Sequence, residues 1–147
     1  MTVEQSGDAE HLLRKYVRAG DDRDFSELER LLASDVVTHS PGGVEMVGVE
    51  GQIAAWIAAH EGLGDLQHEI RDVLAQGETA AARIRVSGTH NGSFLGIGPT
   101  GARVSVDQAL FVRVKSGRIA EMWEVVDTGS GLRQLGVLGD QILSPGG

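Results

Sequence analysis

The chain has 147 residues, 41% of them hydrophobic and 23% charged, which bounds it to a single domain with a buried core. Its 13 basic and 21 acidic side chains leave a net charge of −8, so a nucleic-acid phosphate backbone is excluded as a partner. It has no cysteine, which excludes disulfides, thiolate metal sites and cysteine nucleophiles, and no stretch near the roughly 20 apolar residues of a membrane span.

The opening MTVEQSGDAE has neither a basic start nor an apolar core, so no secretion signal is expected and the protein reads as cytoplasmic. In AEHLLRKYVRAG (9–20), Leu12, Leu13, Tyr16 and Val17 recur at helical spacing, with Gly20 as a stop. DFSELERLLASD (24–35) predicts a second helix: Asp24 and Glu27 resemble a capping box, and Phe25, Leu28, Leu31 and Leu32 form its apolar stripe. DVVTHSPGG (35–43) is a short strand ended by Pro41 and two glycines. GVEGQIAAWIAAHEG (48–62) predicts a third helix with Ile53, Trp56, Ile57 and His60 on one face.

The period then changes. QHEIRDVLAQGETAAARIRVSGTH (67–90) reads as two strands joined at Gln76–Thr79, and ARVSVDQALFVRVKSGRIAEMWEVVD (102–127) as two more joined at Lys115–Gly117. The tail predicts one short helical turn and then a frayed end. One domain over 1–147 is expected, with its core over about 9–136 and both ends flexible. Helices first and hairpins afterwards give an α+β class, helices packed on one face of a curved antiparallel sheet.

Strand parity suggests a pocket. On a regular strand Val104, Val106, Gln108, Leu110, Val112 and Val114 share one face, the inner one. Ile119, Glu121, Trp123, Val125 and Asp127 share a face of the last strand, and Trp123 with Val125 marks it as inner. Gln108 and Asp127 then fall on faces otherwise apolar, and an inward carboxylate needs a partner or a wet cavity.

THSPGG (38–43), GTHNGSFLGIGPTGARVSV (88–106) and GRIAEMWEVVDTGSGLRQLG (117–136) resemble, in order and spacing, the SnoaL-like polyketide cyclases of the nuclear-transport-factor-2-like superfamily. The resemblance runs from about the first helix to Gly136. It implies a cystatin-like, cone-shaped α+β barrel, a bent sheet wrapped around the helices and enclosing an apolar pocket, usually a homodimer through the sheet's outer face. It also implies ring closure in polyketide intermediates without metal or organic cofactor, with an inward aspartate as acid and base. Many relatives carry that aspartate in the third long strand, where this chain has Leu110. Asp107 lies three residues earlier, on the opposite face of a regular strand, and only a bulge near Gln108 would turn it inward. In the family the loop after GTH lies over the pocket mouth, so Phe94, Leu95 and Ile97 read either as a lid with glycine hinges or as packing.

The candidate catalytic residues are Asp127, His39, Gln108 and Asp107. Asp127 reads as a pocket acid or as the cap of the TGSGL turn, His39 as an acid/base or a loop cap, and Gln108 as orienting a carbonyl or bonding the backbone. Candidate substrate contacts are Tyr16, Trp56, His90, Phe94, Leu95, Leu110 and Trp123; the tryptophans read as stacking platforms or plain core, and Tyr16 as a phenolic donor or core. His60 and His68 fit a helix end and a strand without a chemical role, His11 the surface, and Arg83 with Arg85 the outer face. No metal set is expected, since the histidines show no helical pairing and no HExxH spacing, and the glycine-rich loop lacks a Walker lysine.

The leading expectation is a cofactor-independent polyketide cyclase of secondary metabolism and antibiotic biosynthesis. It would take a large, apolar, polyketide-like small molecule and close its ring by preorganisation, through an aldol step or, given Leu110, a cycloaddition. The alternatives are an isomerase or epoxide hydrolase of the same fold, and a non-catalytic small-molecule-binding protein.

Overall fold

The computed structural model describes residues 2–137; Met1 and residues 138–147, on which the expected frayed C-terminal end falls, lie outside the described residues, whereas residues 2–8, expected to be flexible, are helical. The elements are α1 (Thr2–Asp21), α2 (Phe25–Leu31), β1 (Leu32–Ser40), a 3-10 turn (Pro41–Gly43), β2 (Val44–Val47), α3 (Val49–Gly62), β3 (Leu63–Gln76), β4 (Thr79–His90), β5 (Arg103–Lys115), β6 (Arg118–Val126) and α4 (Thr128–Gln134). α1 buries Leu13, Tyr16 and Val17, as the spacing requires, but runs through Gly20 to Asp21. Asp24 caps α2 by accepting the Glu27 backbone N–H at 3.1 Å. α3 turns Gln52 and Trp56 inward and leaves Ile57 exposed, so its buried face lies to one side of the expected one.

Six strands form one sheet in the order β2-β1-β6-β5-β4-β3. It is not purely antiparallel: β1 runs parallel to β6, while every other neighbouring pair is antiparallel. β2, absent from the sequence reading because Gly42–Gly43 looked like a terminus, pairs back on β1. The cone-like α+β architecture is the one expected, with α1 resting on the long strands and the apolar side chains of both forming one core cluster.

Register explains which side chains reach that core. β4 and β5 pair without interruption from Thr79↔Arg113 to Thr89↔Arg103, so Val104, Val106, Leu110, Val112 and Val114 are all buried. β6 breaks the alternation. Val114 pairs with Ile119 and Arg113 with Glu121, so Ala120 is an extra residue with no partner on β5. Beyond this bulge Met122 faces the core, fully buried like Ile119, and the phase of every later residue is inverted.

Gly20 marks a close approach. A Cβ built there would overlap the six-membered ring of Trp56, which packs on the bare helix backbone. Gly20→Ala is ordinarily stabilising inside a helix by close to ~1 kcal/mol. Here it is expected to destabilise by about 1–3 kcal/mol through overpacking, seen as a lower urea midpoint with an unchanged slope.

Candidate active site

A cavity of ≈ 230 Å³ lies between α1, α3 and the concave face of β3–β6. Ile84, Val86, Val104, Val106, Leu110 and Val126 give it an apolar wall, because the inward phase of β4, β5 and post-bulge β6 all arrive there. Pro41, Phe94 and Leu95 line it from the connecting segments and Thr128 from the start of α4. Its polar side chains are Tyr16, Gln52, the Trp56 indole, His68, Gln108, Glu124 and Thr128.

All of these but Gln108 and Thr128 form a connected cluster. Tyr16 Oη accepts the Trp56 indole N–H at 3.0 Å and an N–H of the Gln52 amide. With two donors on its oxygen, the phenol keeps its own proton for a third partner. Burial, and then the nearby Glu124 carboxylate, push the Tyr16 phenol far above its usual range, so it is an O–H donor at any working pH. Burial also raises the Glu124 carboxyl above the usual carboxylate range, against the opposing pull of the Gln52 amide and the His68 ring. Asp21, the last residue of α1, holds His68 at two points: the His68 backbone N–H at 2.7 Å and ring Nδ1 at 2.6 Å. The two contacts fix the ring's position and orientation beside the cavity. The arrangement holds an acid of raised pKa, a carboxylate-oriented imidazole and a polarised phenol in one apolar chamber, the equipment of proton transfer.

The inner-face reading of β6 is corrected by the Ala120 bulge: Met122, Glu124 and Val126 point inward, and Trp123 and Val125 outward. Trp123 is therefore no cavity residue. It stacks on His39 at 5.1 Å and 12°, with the Arg113 guanidinium 5.2 Å from its ring centre. His39 also lies outside, its Nε2 2.8 Å from Glu121 Oε2, because Thr38 takes the inward position beside Met122. Asp127 is exposed and caps α4, accepting the Ser130 backbone N–H at 3.0 Å. Asp107 stays on the outer face in the unbroken β4–β5 register, bound by Arg85 at 2.9 Å. None of His39, Asp107, Asp127 and Trp123 lines the cavity.

Gln108, Tyr16, Trp56, Leu110, Phe94 and Leu95 do line it. His90 does not: it is fully buried behind the loop, taking the Thr100 backbone N–H on Nδ1 at 3.2 Å and facing the Ile97 carbonyl with Nε2 at 3.1 Å. Ile97 packs on the core, and paired backbone bonds between Phe94 and Ile97 close a tight turn. Its two central residues have positive φ, Leu95 at 54° and Gly96 at 75°. A left-handed leucine is strained where asparagine or glycine is usual, and the strain aims its side chain at the cavity.

Glu124, His68, Asp21 and Gln52 were missed. His68 had a signal, since it shares strand parity with Leu66 and Ile70. Glu124 had none while β6 was read as regular, and nothing local ties Asp21 to a strand 47 residues away. Among the described residues no group of three or more His, Cys, Asp or Glu is placed to hold a metal. Among the described residues no helix is long and apolar enough to cross a membrane.

The comparisons agree with the architecture. IdmH of Streptomyces antibioticus, provisionally described as a polyketide cyclase, is 29% identical over 88% of this chain and 99% of its own, with a TM-score of 0.79. AclR of Streptomyces galilaeus, provisionally described as a hydroxylase, is 28% identical over 91% and 99%, with a TM-score of 0.80. An LEH-like epoxide hydrolase from M. tuberculosis shares the fold at 16% identity, 88% and 90% coverage and a TM-score of 0.71. No curated protein matches the chain. The family model of the SnoaL-like polyketide cyclases matches residues 10–135, and the chain belongs to that family.

Proposed function

We propose that the protein closes a ring in a polyketide-type intermediate of secondary metabolism, with no cofactor. The observation that carries this reading is the buried, raised-pKa Glu124 facing His68 in a chamber whose walls are otherwise apolar. The chamber is smaller than the roughly 300–1,000 Å³ of drug-sized ligand sites, so it takes the ring-forming portion of a chain rather than all of it. Holding that portion in its closing conformation lowers the entropic part of the barrier. Glu124, whose acid form burial favours, and the Tyr16 O–H polarise a carbonyl, His68 backed by Asp21 accepts a proton, and Gln108 orients the chain.

Register supports the assignment of Glu124. It sits directly across from Leu110, so a carboxyl reaches the same part of the inner face from the neighbouring strand. The epoxide-hydrolase reading has less support, because no arginine lines the cavity to complete an Asp–Arg–Asp set. A non-catalytic carrier has no use for an ionisable group held at a raised pKa.

The same family reading suggests a homodimer through the outer face. Leu74, Ala81, Phe111, Trp123 and His39 stand in one row across five strands, and Leu74 and Phe111 are exposed, as is Val125 beside Trp123 on β6. An apolar row of this kind needs a cover, and an identical row supplies one by two-fold symmetry.

Deleting the gene is expected to accumulate an acyclic chain, equal in mass to the cyclised product for a cycloaddition or heavier by one water for a dehydrating aldol closure. Wild-type protein restores the ring, and an unchanged metabolite profile rules the reading out. Glu124→Gln is expected to lower the closure rate by about 10²-fold or more. The same variant tests linkage. A carboxyl with a raised folded pKa costs stability as pH rises from the unfolded value near ~4.3 through the folded one. Glu124→Gln should therefore melt higher than wild type in alkaline buffer, and the gap should close on acidification. Leu95→Asn is expected to relieve strain, raising stability by up to about 1 kcal/mol while weakening substrate binding. Phe111→Glu is expected to give a monomer by sedimentation.

A further inference from the structure

Asn91 is the only asparagine in the chain, and a glycine follows it. The packing accounts for the pair. Gly92 lies against the end of α3, where a Cβ would overlap the Glu61 carbonyl, and its N–H donates to the Gly62 carbonyl at 3.1 Å. Asn91 Oδ1 accepts the Gly64 N–H at 3.1 Å, and a Cβ on Gly64 would overlap the Asn91 amide. Gly62 is bare in turn, because the Ser93 carbonyl sits where its Cβ would be. These bonds and close backbone approaches sew the root of the 91–101 loop to the α3–β3 junction, just ahead of Phe94 and Leu95.

The same two residues are chemically labile. Asparagine is a thermolabile side chain, and a glycine after it gives the backbone freedom to bring its nitrogen onto the side-chain carbonyl carbon. In that step the Gly92 nitrogen bonds to Asn91 Cγ and the Cγ–Nδ2 bond breaks. Nδ2 leaves as ammonia with the proton from the Gly92 nitrogen, and a succinimide ring remains. Water then opens the ring at either carbonyl. Cleavage between the Gly92 nitrogen and Cγ restores the main chain and leaves aspartate. Cleavage at the main-chain carbonyl of residue 91 leaves isoaspartate, whose main chain runs through Cγ and is longer by a carbon. In the folded chain both reacting groups are held, the Gly92 N–H by Gly62 and the Asn91 amide by Gly64. The clasp must open locally before they can meet.

We propose that Asn91 is a latent site of spontaneous modification, shielded by this clasp and converted when the loop root opens, and that the isoaspartate product cannot seat again. The extra carbon displaces Gly92 by about 1.5 Å along the chain. The bare backbone packed on Glu61 and Gly62 leaves no such space. The aspartate product keeps an acceptor for the Gly64 N–H and closes as before. Formation of isoaspartate therefore frees, molecule by molecule, the loop that carries Phe94 and Leu95 to the cavity wall. Nothing in this depends on the ring-closing reading.

Peptide mapping by mass spectrometry tests this on protein aged in mildly alkaline buffer, folded and in urea. Asn91 is expected to convert in urea and at least about tenfold more slowly in the folded chain, the protection of a local opening equilibrium. Gly64→Ala, whose added methyl displaces the Asn91 amide from its clasp, is expected to convert faster than the folded wild type. Should that variant unfold, amide exchange on the wild type decides. The Gly64 and Gly92 N–H groups, slow to exchange in fresh protein and in Asn91→Asp, are expected to exchange fast in the isoaspartate fraction. No conversion at Asn91 in urea, equal rates folded and unfolded, or an isoaspartate fraction that exchanges as slowly as fresh protein overturns the proposal.

Discussion

Between Ile119 and Glu121 the last strand carries one residue that β5 opposite does not, and the side chains on either side of Ala120 are therefore out of phase. Side chains alternate with a period of two, so one extra residue exchanges the faces of everything that follows. On a regular strand the concave side would receive Glu121, Trp123 and Val125; with the bulge it receives Met122, Glu124 and Val126. The exchange moves a carboxyl into the chamber and a tryptophan out of it. Trp123 then completes the outer cluster with His39 and Arg113, and Glu124 meets the polar ends of α1 and α3.

Those two helices are tied together by the same groups that face the chamber. Tyr16 and Asp21 come from α1, Gln52 and Trp56 from α3. The Trp56 indole reaches the Tyr16 oxygen only because Gly20 leaves room for its ring, and the edge-on Tyr16–Trp56 contact at 5.8 Å packs the helices as it sets the donor. His60 adds a bond to the Gly20 carbonyl at 2.8 Å. The C-terminal turns of α1 position both the phenol, on Tyr16, and the imidazole, through Asp21. Helix packing and site geometry are thus one property, and a change that tilts α3 moves the donor set as well.

This also explains how much was legible beforehand. Helical spacing around Leu13, Tyr16 and Val17, the Asp24 cap and both late hairpin turns are local signals, and the elements they mark are present. The parallel pairing of β1 with β6 joins residues some eighty positions apart, and no local pattern encodes it. The bulge was hidden by composition: Trp123 and Val125 are large and apolar, so their outward placement, with Val125 exposed, contradicts the usual reading of such residues. Three of the four residues taken as catalytic lie outside for reasons of register or capping, whereas Gln108, on the one uninterrupted strand, reaches the cavity. Regular strands were readable residue by residue; the irregular one was not.

The position held by Leu110 bears on which ring-forming chemistry the chamber suits. An aldol closure needs a base to take a proton from carbon and an acid to support the developing alkoxide, whereas a cycloaddition needs only a shaped cavity and a donor that draws electrons from one partner. Leucine at that position argues for the second course only if no carboxyl replaces the missing one. Glu124, opposite Leu110, stands in its place but differs in environment: burial dominates it and raises its pKa, which favours the acid over the base. The basic part then falls to His68, whose ring is held by Asp21 at 2.6 Å. On the proposed reading the acid and the base belong to different strands, β6 and β3, and the substrate must span the width of the chamber to engage both. A short chain touching Glu124 alone receives activation without deprotonation, and for it the cycloaddition is the course the geometry favours.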